Sequence, residues 1–352
     1  MIECVNIQNF RGIPQLEIEE MKRINLISGK NNIGKSTVLE AIFLNMDHTT
    51  NESFRKLSYF RGASTSVDRN PWEPLFYQMD TKSPIRIYMT EDGEKSLLEY
   101  QRDENYLPNR IQDVPDEAMK SFRAAARNTY TLRFHFEKGN YYEDGHFISA
   151  EAGMLRDIET SLPKNELCDL TPTRFVNNLL SRTSNNIADS ISKMELDGTK
   201  SKIIDILKFL DPSIQDIVTL SVFGMSQLYI RAGGKLTPLT YAGDGVVNLL
   251  SICLSVMELK NGLVLIDELE TGFHYSMYPR LWEILDFISK ESNCQIIATT
   301  HSHELIVALS NLMKTGTSAA YYRLGNSKGQ RKAFLYNGEL LGEALSEEME
   351  VR

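Results

Sequence analysis

The feature that most constrains this chain is a nine-residue turn, Gly29-Lys30-Asn31-Asn32-Ile33-Gly34-Lys35-Ser36-Thr37, lying between a strand-like run and a helical one. It fits the pattern G-x-x-x-x-G-K-[ST]. Glycines let the backbone curl until successive N–H groups face one anion, and the following helix offers its positive end to the same anion. Asn31, Asn32, Gly34, Lys35, Ser36 and Thr37 are the expected phosphate contacts. Lys35 contributes a point charge, and the Ser36 hydroxyl a hard ligand for Mg²⁺. Arg23–Ser28 before the turn reads as a strand, and Val38, Leu39, Ile42 and Phe43 after it share one helical face. Strand, turn and helix in that order call for an α/β fold.

Nucleoside triphosphate hydrolysis on such a turn also needs a carboxylate at the end of a buried strand. Leu263-Val264-Leu265-Ile266 is a continuous apolar run of the kind covered on both faces of a parallel sheet, and Asp267-Glu268 follow it. Asp267 is the expected Mg²⁺ partner, and Glu268 is placed to polarise the attacking water. A second run of this kind, Gln295–Ala298, leads into Thr299-Thr300-His301-Ser302-His303. An imidazole there orients a γ-phosphate without adding a full charge, so His301 is the candidate sensor and His303 the lesser one. The helix expected over Met277–Ser289 joins the two strands into a βαβ unit.

Around these motifs the chain of 352 residues has room for one large α/β domain with an insertion, or two ordinary domains. Strands are expected at Ile2–Phe10, ended by Pro14, and at Leu16–Ile18, Ile85–Met89, Leu97–Tyr100, Tyr130–Phe136 and Tyr141–Phe147, with Lys138–Asn140 as a hairpin turn. Helices are expected at Arg174–Met194 and Lys200–Leu210, the second stopped by Asp211-Pro212. Strands return at Ile217–Val222 and Gln227–Ile230, then a helix over Asp244–Leu259. The expected division is 1–149, 150–213 as a helical insertion, and 214–352.

No apolar run reaches the roughly 18 residues that span a bilayer, and Met1–Val5 lacks the start of a signal peptide, so a cytoplasmic protein without membrane contact is expected. Cys4, Cys168, Cys253 and Cys294 have no metal-ligand spacing. A net charge of −9 gives no general support for nucleic-acid binding. Arg55-Lys56 with Arg61, and Arg123 with Arg127, are the local basic candidates, a pattern more often a solvated face.

Taken together, these segments resemble the ABC-type ATPases of the SMC, RecF and OLD group, in the right order along most of the chain. Ile7-Gln8-Asn9-Phe10-Arg11-Gly12-Ile13 resembles the group's first strand and turn, and Gly29–Thr37 its P-loop. Leu239-Thr240-Tyr241-Ala242-Gly243-Asp244-Gly245 sits where the group carries its signature, with Thr240 for serine and Ala242 for the first glycine. Asp267–His274 resembles Walker B running into the D-loop, Thr300-His301-Ser302 the switch histidine, and Tyr321–Leu324 with Glu350–Arg352 the tail of small ATPases from bacterial defence loci.

The resemblance implies an ATPase head with a mixed, largely parallel core sheet, an antiparallel β subdomain and a helical insertion. It places Arg11 near the nucleotide, Gln78 as the weak Q-loop candidate toward the metal, and Glu270 and His274 in the D-loop. ATP and Mg²⁺ are the implied cofactors. Thr240, Gly243, Asp244 and Gly245 would act across an interface, so that ATP closes a homodimer or higher oligomer. No Toprim nuclease segment follows, so a separate effector, of Toprim-nuclease type, is implied, with no nuclease activity from this chain alone. DNA stays open as a partner. The alternatives are a RecF-like repair ATPase and a nucleotide-stabilised, non-catalytic scaffold.

Overall fold

The N-terminal alternation folds as β1 (Ile2–Phe10), which turns at Arg11-Gly12 into β2 (Ile13–Ile18), with Phe10 opposite Ile13 and Val5 opposite Ile18. Pro14 does not end a strand as the sequence suggested; it lies inside β2. The reason is position: β2 is an edge strand, where a missing N–H need not break a ladder. The computed structural model describes residues 1–48, 53–54, 57, 70–103, 130–150, 153–159, 170–176, 185–222, 225–327, 329–347 and 351. Arg55, Lys56, Arg61, Arg123, Arg127, Cys168 and Glu348–Glu350 fall outside these residues.

The chain divides into two compact units. The first comprises Met1–Met21, Lys30–Leu170 and Leu324–Phe334; the second comprises Lys22–Gly29, Thr171–Arg323 and Leu335–Arg352. The strand before the P-loop, β3 (Ile24–Gly29), therefore belongs to the second unit, and the helix after it, α1 (Lys35–Met46), to the first.

In the first unit, β4 (Ile85–Glu91), β5 (Glu94–Arg102), β6 (Tyr130–Lys138), β7 (Tyr141–Ala150) and β8 (Gly153–Glu159) join β1 and β2 in a seven-stranded antiparallel sheet, ordered β2-β1-β4-β5-β6-β7-β8. Tyr100, Phe134 and Phe147 form an aromatic core with Trp72, whose indole N–H donates to the Tyr130 carbonyl at 3.0 Å. Almost all of α1 is buried, on more than the one face its periodicity suggested. Its polar Asn45 is accommodated by donating to the Ile87 carbonyl (3.0 Å) and accepting from the Ser96 hydroxyl (3.1 Å). Those bonds offset the cost of burying an amide and fix the helix on β4 and β5.

In the second unit the elements in chain order are β9 (Thr173–Val176), α2 (Asn185–Leu196), α3 (Lys200–Leu207), β10 (Ile214–Val222), β11 (Met225–Ala232), β12 (Lys235–Pro238), α4 (Asp244–Glu258), β13 (Leu263–Ile266), α5 (Tyr278–Glu291), β14 (Gln295–Thr299), α6 (His303–Met313), β15 (Ala319–Ser327), β16 (Gln330–Tyr336) and α7 (Gly338–Ser346). Six strands form one sheet, ordered β16-β15-β3-β14-β13-β9. The distal part of the β15–β16 hairpin, Leu324–Phe334, is counted with the first unit. Arg174–Val176 were expected to begin a helix and instead make the strand β9, parallel to β13. Only three apolar or β-branched positions separate the two readings there, too few for periodicity to decide.

The pairs β3–β14, β14–β13 and β13–β9 are parallel, and β3, β13 and β14 are buried along their whole length. Ile266 lies opposite Ala298, and Thr299 opposite Ile27. This register makes Gly29, Asp267 and Thr299 leave the same, C-terminal edge of the sheet. Ligands of open α/β sheets bind outside that edge. The apolar helix α4 packs in the same core through Leu249, Leu250, Ile252, Leu254 and Val256. Among the described residues no helix is long and apolar enough to cross a membrane.

Candidate functional site

In the first unit the P-loop leads into α1 through Gly34, whose backbone is left-handed at φ 106°. A Cβ at this position would lie 3.1 Å from Ile13 Cγ1, so both conformation and space demand glycine. The N-cap of α1 is Gly34, which brings no side chain of its own to the first turn, a position suited to an anion at the N–H groups. Lys35 is buried, and its Nζ donates to the Lys30 carbonyl at 3.3 Å, folded back over its own loop. Asn31 and Asn32 are exposed, Asn32 with a left-handed φ of 60°. Thr37 is buried and Ser36 half-buried. A glycine-led helix start fits a polyphosphate, and the Ser36 hydroxyl is a hard oxygen of the kind Mg²⁺ takes.

Arg11 pairs with Glu40 of α1, Nε to Oε2 at 3.2 Å, with both side chains largely buried. Its backbone N–H donates to the Leu75 carbonyl at 2.7 Å. The residue expected beside the nucleotide is thus tied to the P-loop helix by its charge. Gln78 is exposed in a 3₁₀ turn, Tyr77–Met79, with φ 53°, and its amide donates to the Tyr77 hydroxyl at 3.3 Å. One contact to the loop was not legible in the motif: Arg331 of β16 donates through Nη1 to the Ile33 carbonyl.

In the second unit the strand-end residues are held by a network of hydroxyls and carboxylates. The Thr299 hydroxyl, fully buried, donates to Asp267 Oδ1 at 2.5 Å and accepts from the Glu268 N–H at 2.9 Å. The Asp267 N–H reaches the Val176 carbonyl of β9 at 3.0 Å. Glu268 is exposed and has a left-handed backbone, φ 53°, a conformation that costs a non-glycine residue roughly 1–2 kcal/mol. Glu270 turns back: Oε1 accepts from the His301 N–H and Oε2 from the Thr300 hydroxyl, both at 2.7 Å. Thr300 Oγ1 in turn accepts from the Ser302 N–H (2.9 Å), and Ser302 caps α6 by accepting from Leu305 N–H (3.1 Å). His301 is half-buried, and His303, the first residue of α6, is exposed.

The signature segment lies in the same unit. Leu239–Tyr241 make a 3₁₀ turn, Gly243 precedes α4, and Thr240, Gly243 and Asp244 are exposed, with Tyr241 80% exposed. Gly245 meets Gly272 of the D-loop so closely that a Cβ on Gly245 would lie 2.5 Å from the Gly272 carbonyl oxygen. Asn248 Nδ2 donates to the Thr271 carbonyl at 2.8 Å, fastening the same contact. His274 is exposed, bonded to Ser276 Oγ at 2.9 Å and packed against the Tyr275 ring. The roles of Thr299, of Glu270 as a brace for the switch segment, of Asn248 and of Arg331 are not legible in the sequence. Only the register of β13 against β14 brings the first two to their partners.

A family model described as "AAA domain, putative AbiEii toxin, Type IV TA system" matches residues 24–308, from β3 into α6. The chain belongs to this family. Among relatives of this AAA-domain protein, an ATP/GTP phosphatase of Helicobacter pylori is 26% identical over 333 residues, 89% of each chain. The Septu protein PtuA of Bacillus thuringiensis is 23% identical over 326 residues, covering 90% of this chain and 76% of PtuA. The fold is that of an SMC head: a solved SMC head bound to the C-winged helix domain of ScpA superposes with a TM-score of 0.53 at 11% identity, covering 96% of this chain and 98% of that one. The mixed α/β head expected from the motifs is the architecture observed, in an AAA-domain protein with the fold of an SMC head.

Proposed function

We propose that this chain hydrolyses ATP in a head-to-tail dimer and so controls a separate effector in anti-phage defence. One observation carries the hydrolytic part: the Thr299 hydroxyl holds both Asp267 and the backbone of Glu268 at the C-terminal sheet edge. A protein that only stored nucleotide would have no use for a carboxylate kept exposed on a strained backbone. In this reading Asn31, Asn32, Gly34, Lys35 and Thr37 receive the phosphates, with Arg11 behind them on Glu40. Ser36 and Asp267 are the hard oxygen donors that suit Mg²⁺, and Gln78 is a weaker candidate. The ion, when bound, neutralises charge on the phosphate oxygens. Glu268 accepts the proton of the attacking water, and His301 orients the γ-phosphate.

The dimer reading draws on the signature. Thr240, Gly243 and Asp244 stand exposed at a helix start, with Gly245 locked to the D-loop beside Glu270 and His274. A helix N-terminus in this setting suits the γ-phosphate of a nucleotide held by a second copy. Nucleotide binding then favours closure, and its hydrolysis release. The defence role draws on the likeness to PtuA and on the motif-level resemblance to ATPases of defence loci. A Toprim-type nuclease is the effector class that resemblance favours, and the stretch 150–213 is where partner contacts are proposed to reside.

The test is Glu268→Gln. It should bind ATP, turn over at least ~10²-fold more slowly through loss of general-base assistance, and collect as an ATP-dependent dimer on a sizing column. Equal turnover by wild type and variant would remove Glu268 from the mechanism.

A further inference from the structure

The hydrogen bond from Arg331 Nη1 to the Ile33 carbonyl joins a residue of the β15–β16 hairpin to the middle of the P-loop, 298 positions away in sequence and within the same unit. We propose that Arg331 is a positioning residue for nucleotide binding, holding the Ile33–Gly34 peptide so that the Gly34 N–H faces the phosphates. The proposal rests on reading the loop as a nucleotide site.

A trans peptide is planar, with its carbonyl oxygen and the next N–H on opposite sides. Among the described residues every peptide bond is trans. A donor that captures the Ile33 oxygen therefore fixes where the Gly34 N–H points. Gly34 has particular need of such an external tie. Its φ of 106° is open only to glycine, and glycine has the most backbone freedom to lose on ordering. Other ties in this stretch include the bonds from Ile33 N–H and Lys35 Nζ to the Lys30 carbonyl, both at 3.3 Å, the bond from Val38 N–H to the Gly34 carbonyl at 3.0 Å, and Ile13 packed against Gly34.

Charge adds to geometry. A guanidinium on a peptide oxygen polarises the amide and strengthens its N–H as a donor toward an anion. Ile33 is 8% exposed and the bond is partly buried, so water screens it less than a surface contact. The planar fork of arginine also keeps its direction better than a lysine ammonium would. The ligand class follows from the geometry: a di- or triphosphate chain, whose anionic oxygens need the aimed N–H, whatever base it carries.

The experiment uses the full chain, with calorimetric binding of a non-hydrolysable ATP analogue and steady-state ATP hydrolysis. Arg331→Met keeps side-chain length and removes donors and charge. The expected result is about a tenfold rise in Kd and KM, the worth of one hydrogen bond to a charged group. It is accompanied by unchanged kcat, a near-native melting temperature without ligand, and partial recovery in Arg331→Lys. A merely structural arginine would lower melting temperature and kcat together, with no KM-against-kcat split. Wild-type affinity in Arg331→Met overturns the proposal. Should that variant fail to fold, Arg331→Lys and Arg331→Gln decide: affinity kept by lysine and lost by glutamine supports it, and equal affinity overturns it. If the wild-type chain itself binds no analogue, the nucleotide reading of the loop falls and this proposal falls with it.

Discussion

Replacing Thr299 by valine removes one hydroxyl and little else, since the two side chains have nearly the same shape. In the wild type that hydroxyl donates to the Asp267 carboxylate at 2.5 Å and satisfies the Glu268 N–H at 2.9 Å, in a side chain with no solvent exposure. Loss of a hydrogen bond to a charged group costs about 1.5–3 kcal/mol, and a buried donor left unpaired about 1–3 kcal/mol. The two losses share one atom and one local structure, so they do not simply add, and a total of roughly 2–4 kcal/mol is expected. That should lower the midpoint of denaturant unfolding at unchanged slope. The same hydroxyl fixes the carboxylate proposed for Mg²⁺ and the backbone of the proposed base. If roughly 2.7 kcal/mol of that loss is felt in the transition state, kcat drops about 10²-fold. Thr299→Ser keeps the oxygen and should recover most of both losses. The reasoning is refuted if Thr299→Val unfolds at the wild-type denaturant concentration and hydrolyses ATP at the wild-type rate.

Two further outcomes follow from the second unit. Glu270→Gln keeps one carbonyl acceptor but loses the charge that serves both the His301 N–H and the Thr300 hydroxyl; kcat should fall about tenfold by loss of one charge-assisted bond, with KM for ATP near wild type in steady-state assays. Gly245→Ala places a Cβ against the Gly272 carbonyl, backbone on backbone, where no side chain can swing aside. Thermal denaturation should register a loss of about 1–3 kcal/mol, as for an overpacked site, and sizing chromatography should show weakened ATP-dependent dimerisation.

What the sequence made legible was whatever depends on a few consecutive residues. The P-loop, the apolar runs of β13 and β14, and the polar residues that end them could be read because each carries its pattern locally. Context then did the sorting, since a strand before Gly29 and a helix after Lys35 are both present. What stayed hidden depends on pairing between distant segments. Thr299 is one ordinary threonine among several, and it becomes a brace only because Ala298 lies opposite Ile266. Arg331 lies in a stretch, Gln330-Arg331-Lys332, that reads as solvated charge until the hairpin carries it to Ile33. Pro14 and Arg174–Val176 depart from their local pattern for a related reason. Whether a proline or a short run can sit in a strand depends on its place in the sheet, and its own residues carry no record of that.

The left-handed backbone at Glu268 has a consequence for the chain's history and for engineering it. Glycine sits in that conformation freely and asparagine comfortably, whereas glutamate resists it. A search for hardier variants that ignores turnover would thus be drawn to give up this one carboxylate. Its presence at such a site is what continued use of the residue would leave behind, and a population released from that use should drift toward the smaller side chains first.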